Sequence, residues 1–155
     1  MGVARSTTRQ FIERVLSIAA VEDPERFARI AGDLDGITIQ ITLEDDDESF
    51  YAKGIRKTIS IQQSRPTGRP RVRMTVSRTV ILGILRGEET PVESFFLGHI
   101  RAQGATADLY LVHKLFLAMA EIDVRSDRIQ TAVEEFGGGR PKQPRAGGRS
   151  RLARA

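Results

Sequence analysis

The chain has no cysteine, and only two histidines, His99 and His113, in 155 residues. The first absence excludes disulfides, thiolate catalysis and cysteine metal sites. The second leaves too few ligands for a zinc or iron centre, so no metal or other cofactor is expected. No apolar run reaches the ~18 residues needed to span a bilayer. The opening residues, MGVARSTTRQF, are basic and polar and lack the apolar centre of a secretory leader. The expected location is the cytoplasm. Gly83, Gly87 and Gly98 do not form a phosphate loop. No serine, histidine and acid fall into a recognisable nucleophilic arrangement. Internal repeats are absent.

Acid is missing from one end. From Gly138 onward the only charges are Arg140, Lys142, Arg145, Arg149, Arg151 and Arg154. Setting those six aside leaves 18 of the 24 basic residues against 20 acidic ones. The pI of about 9.9 therefore belongs to the tail, and nucleic acid is not an expected partner. From Gly137 the sequence GGGRPKQPRAGGRSRLARA has almost no apolar side chain and is expected to be disordered. The expected organisation is one domain over 1–137 and a basic tail over 138–155. With 40% hydrophobic and 28% charged residues, the chain can build an ordinary core.

What is present divides by period. Phe11, Val15, Leu16, Ile18 and Ala19 recur at helical spacing and predict a helix over 6–20. Asp23-Pro24 is a cap followed by a first-turn proline and predicts a second helix over 24–31. Ile37, Ile39, Ile41 and Leu43 then alternate with polar residues, as in a half-buried strand. Strands are also expected over 49–53, 55–62 and 71–76, the four forming an antiparallel meander. Ser77 is a plausible cap for a helix ending near Leu85. A short helix over 91–97 carries Phe95, Phe96 and Leu97. A fifth strand over 98–103 turns at Gly104, and Thr106 is expected to cap a long helix reaching Val124. That helix is apolar on nearly all sides: Leu109, Val112, Phe116, Met119 and Ala120 on one, Leu111, Leu115, Ala118 and Ile122 on another. Such a helix is buried on several faces. A last helix, over 126–136, has a thin apolar face of Ile129, Val133 and Phe136, and its displacement would admit a ligand.

The order helix, helix, four strands, helix, short helix, strand, long helix resembles the sterol carrier protein type 2 family of lipid-binding domains. The resemblance is strongest in VSRTVILGILRGEETPVESFFLGHIRAQGATADLYLVHKLF, at Gly87-Glu88, Phe96-Leu97-Gly98, Ile100, Ala102, Gly104 and Leu109. By architecture it extends over about 37–124. Gly104-Ala105-Thr106 departs from the more usual Gly-Asp or Gly-Asn, and the Gly/Arg-rich tail is no family feature. The resemblance implies an α+β fold, an α/β sandwich. A five-stranded, mostly antiparallel sheet would be covered on one side by helices, with an apolar tunnel between them for sterols, acyl chains or similar ligands. Burial of apolar surface, at roughly 25 cal/mol per Å², would drive binding. The expected lining is Ile81, Leu82, Leu85, Phe95, Phe96, Leu109, Val112, Phe116 and Met119.

The other signals have plainer readings. Residues 44–48, EDDDE, lack the glycine and spaced ligands of a calcium loop and read as a solvated hairpin loop. Arg65, Arg69, Arg71, Arg73 and Arg78 form a basic cluster. With the tail, it could make weak contact with an anionic membrane or an acidic partner protein. The expected function is non-enzymatic binding and carriage or presentation of an apolar small molecule: sterol, fatty acyl, isoprenoid or polyketide-like. One alternative is an enzyme or accessory enzyme using the same cavity, with Glu93, His99, His113 and Tyr110 as acid/base candidates. The other is an interaction module built on the arginine patch and tail.

Overall fold

The computed structural model describes residues 7–137; the expected disordered tail lies outside them. The chain opens with α1 (Thr8–Glu22) and α2 (Pro24–Asp33). Thr7 caps α1 in a reciprocal box with Gln10, and Asp23 caps α2, with Pro24 in the first turn. Three strands follow: β1 (Thr38–Leu43), β2 (Glu48–Ile55) and β3 (Thr58–Gln62). Then come β4 (Val72–Val76), α3 (Arg78–Leu85), α4 (Pro91–Phe96), β5 (Ile100–Gly104), α5 (Thr106–Arg125) and α6 (Asp127–Phe136).

The five strands form one sheet in the order β3-β2-β1-β4-β5. Only the first three make the expected meander. β4 crosses over and pairs with β1 in parallel, while β5 returns antiparallel to β4. The reason lies in the connection. Residues 63–71 carry Pro66 and Pro70, which cannot donate to a ladder, and the link is too long for a hairpin. Arg71 N instead donates to Thr38 O at 2.9 Å and starts the pairing on the vacant edge of β1.

Register sorts the side chains onto two faces. Ile39 lies between Ala52 and Val72, and Ile41 between Phe50 and Met74. Val76 meets both Leu43 and Ile100. Their alternates, Thr38, Gln40, Thr42, Lys53, Arg73, Thr75, Arg101 and Gln103, make the polar outer face. The helices cover the apolar face only. One core cluster lies between sheet, α2 and α5; a second joins α1, α2, α3, α5 and α6 through Phe11, Phe27, Leu82, Ile122, Ile129 and Val133.

The cap expected at Thr106 is absent: Ala105 takes that position, without a side-chain hydrogen bond. Ser77 does cap α3, and Ser126, expected inside the last helix, instead caps α6. α6 is also fastened more firmly than its thin apolar face implies. Ile129, Ala132 and Val133 are fully buried, and Phe136 stacks on Phe11 with ring centroids 4.1 Å apart. Gln130 Nε2 donates to Leu85 O and Asp123 O, each at 2.8 Å.

Candidate functional site

Where the two cores meet, packing leaves an apolar cavity of about 150 Å³. Ile12, Ile59, Ile81 and Met119 belong to both clusters and mark the junction. The sheet supplies one wall: Ile39, Ile41, Ala52, Ile59, Ile61, Met74, Val76 and Ile100. The opposite walls come from Ile12, Val15 and Leu16 of α1, from Ile81, Ile84 and Leu85 of α3, and from Leu115, Phe116, Met119, Ala120 and Asp123 of α5. Ile12 and Leu16 on α1, Ile59 and Ile61 on the edge strand β3, Ile81 and Ile84 on α3, and Phe116, Met119 and Ala120 on α5 are only half-buried, whereas the central strands are buried.

Every wall residue except Asp123 is apolar. Asp123 is fully buried, and neither of its carboxyl oxygens has a hydrogen-bond partner. Burial in apolar surroundings pushes its carboxyl from the ordinary 3.8 up to about 8, because the charged form loses its hydration. Its backbone carbonyl is occupied, accepting from Ser126 N and Gln130 Nε2.

Of the nine residues expected to line a ligand site, Ile81, Leu85, Phe116 and Met119 lie on the wall of this cavity. The other five lie elsewhere. Val112 is fully buried in the sheet–α5 core and Leu82 in the helix core. Leu109 packs at the margin of the first core. Phe95 faces inward but packs against Phe116 and, edge-on, His113, at 6.1 and 5.8 Å between centroids. Phe96 is 92% exposed. Adjacent helical residues point ~100° apart, so a short helix that turns Phe95 inward turns Phe96 to solvent.

Sequence reasoning missed the α1 contribution, the sheet wall and Asp123. A signal for Asp123 existed. Val112, Phe116, Met119 and Asp123 are spaced by four, three and four, so an acid continues the inward stripe of α5.

None of the acid/base candidates reaches the cavity. Glu93 closes the capping box of α4 with Thr90. Tyr110 is exposed. His99 Nδ1 lies 2.6 Å from Glu89 Oε2, and Ser94 Oγ lies 2.5 Å from the same oxygen. Serine and histidine thus converge on a carboxylate rather than on each other, and the histidine is not placed as a base for the serine. The Ser94 hydrogen bond, then that of His99, holds Glu89 below its ordinary pKa.

The acidic loop is structural. Asp45 accepts from Arg78 N and Thr79 N at the start of α3, Asp46 accepts from Thr8 Oγ1, and Glu44 pairs with Arg101. Two of the clustered arginines are engaged internally. Arg71 makes a bidentate pair with buried Asp108 at 2.8 and 3.1 Å, and Arg78 donates to Phe136 O. Among the described residues no group of acids and histidines is placed to hold a metal. No helix among them is long and apolar enough to cross a membrane.

A mixed five-stranded sheet with helices on one face has counterparts among solved structures. The UbiJ-SCP2 ubiquinone synthesis protein superposes with a TM-score of 0.59 at 14% identity, over 75% of this chain and 95% of that one. The fold is that of the sterol carrier protein 2 domains. The sterol carrier protein domain 2 of Helicoverpa armigera gives a TM-score of 0.51 at 15% identity, over 81% and 98% of the two chains. Sterol carrier protein 2 from Yarrowia lipolytica, in its apo form, gives 0.50 at 14%, over 80% and 98%. No protein-family model and no curated protein matches the chain.

Proposed function

We propose that the protein binds an apolar small molecule in this cavity and carries or presents it in the cytoplasm without transforming it. The observation that carries the reading is the wall itself, apolar at every position but one, around a space of about 150 Å³. Domain interiors are close-packed, with few voids larger than a water molecule. At ~24 cal/mol per Å³, an empty cavity of this size forgoes roughly 3–4 kcal/mol, which a fitting ligand recovers. Apolar cavities of about 150 Å³ bind molecules the size of benzene. Met74 and Met119 are pliable wall residues that yield to larger ligands. Sterol, fatty acyl, isoprenoid and polyketide-like compounds are the candidate classes, and several of the structural neighbours are named for sterol carriage. Docking on an anionic surface during delivery would fall to the exposed Arg65, Arg69 and Arg73.

Uptake of fluorescent fatty acid and sterol probes tests the reading. The protein should bind at least one class saturably at one site. Phe116→Glu puts a charge on a half-buried wall position and should weaken uptake tenfold or more while costing about 1–3 kcal/mol of stability. Undiminished affinity in a folded Phe116→Glu variant would remove the cavity as the site.

A further inference from the structure

Asp123 is hard to explain as a packing residue. A leucine there would fill space without the desolvation penalty of a buried carboxyl, and an unpartnered buried polar group ordinarily costs more than an apolar one of similar shape. An orphaned polar atom in a native interior calls for an explanation in strain, catalysis or a bound water, ion or ligand. The helix turn around Asp123 is already satisfied through backbone groups and Gln130, so its side chain is not needed to hold α5 and α6 together. Asp123 lies on the cavity wall, and both of its carboxyl oxygens are buried and unpartnered.

We infer that Asp123 is the polar anchor of the bound molecule, and that this molecule is an apolar compound ending in an uncharged hydroxyl, an alcohol or a phenol. This rests on the carrier reading of the cavity. The choice of head group follows from what surrounds it. No basic side chain lines the wall, so a carboxylate or phosphate would enter without a counter-charge. An ammonium group would require two opposite charges to be stripped of water together, which returns little net binding. A carboxyl held neutral by burial both donates through its O–H and accepts through its C=O. A hydroxyl is the smallest uncharged head that answers both. A hydrocarbon answers neither and leaves the acid orphaned.

The test uses eight-carbon pairs that differ only in the head group: 4-ethylphenol against ethylbenzene, and 1-octanol against octanoate and octylammonium. Dissociation constants are measured by NMR titration at neutral pH for the wild type, Asp123→Leu and Asp123→Asn. The decisive quantity is the ratio of ethylbenzene to 4-ethylphenol affinity, in which the contribution of the shared hydrocarbon frame largely cancels. Asp123→Leu should move that ratio about tenfold or more toward ethylbenzene, the value of one hydrogen bond of 1.4 kcal/mol. Asp123→Asn, which keeps a donor and an acceptor, should retain most of the wild-type preference. Octanol should exceed both charged analogues. An unchanged ratio in Asp123→Leu, or a preference for octanoate or octylammonium, would overturn the assignment while leaving a carrier. Failure of the wild type to bind any of the five compounds would overturn the assignment together with the carrier reading.

Discussion

Asp123 ties binding to stability through its proton. In the folded chain its carboxyl titrates at about 8, against 3.8 when exposed. Between those values the folded state holds a proton that the unfolded state has released. The unfolding free energy therefore falls as pH rises from about 4 to about 8 and levels off above. The loss is of the order of a few kcal/mol, because each pKa unit is worth about 1.4 kcal/mol and relaxation offsets part of it. Asp123→Leu should be at least as stable as the wild type at pH 5 and clearly more stable at pH 8. Urea unfolding across this range, read as the difference between the two proteins, isolates the one group from every other titration. A pH-independent difference would mean that Asp123 is solvated. The same residue shows where sequence reading stops. The stripe of α5 runs through position 123, but an acid two residues from a helix end ordinarily reaches water, and its burial is decided by the packing of the elements around it.

At the scale of elements, amphipathic period and capping chemistry carried most of the information. Alternation at Ile37, Ile39, Ile41 and Leu43, and the caps at Asp23 and Ser77, appear in the structure where the sequence places them. Pairing partners are not encoded that way. Strand alternation fixes which face is buried but not which edge the next strand takes, and the crossover of β4 to β1 depends on the proline-bearing connection before it. The sheet also depends on one close approach. A Cβ on Gly54 of β2 would lie 2.2 Å from Leu34 O, where the turn after α2 bridges the strand and Gly36 N donates to Gly54 O at 2.8 Å. Backbone, not a flexible side chain, would have to move. Gly54→Ala should therefore cost about 2–4 kcal/mol, measured as a lowered urea midpoint with an unchanged slope. A loss below about 0.5 kcal/mol would show that α2 and β2 are not held together by this contact.

For the whole molecule, the decisive feature is a gap between two cores that share Ile12, Ile59, Ile81 and Met119. Whether an apolar residue lines a space or fills one is not legible in sequence, because the same side chains do both. Leu82 and Leu85 lie one helical turn apart on α3, yet only Leu85 reaches the cavity. Val112 and Phe116 divide in the same way along α5. The presence of two greasy helices beside a sheet was readable; their separation by a residual volume is a product of how all the elements pack at once. The measurement that tests the central claim most directly is native mass spectrometry, with organic extraction, of the protein purified from its own host. The account predicts one apolar, hydroxyl-bearing compound per chain, released on denaturation. A clean apo mass, together with no uptake of fatty acid, sterol or alkylphenol probes by the folded protein, would contradict it.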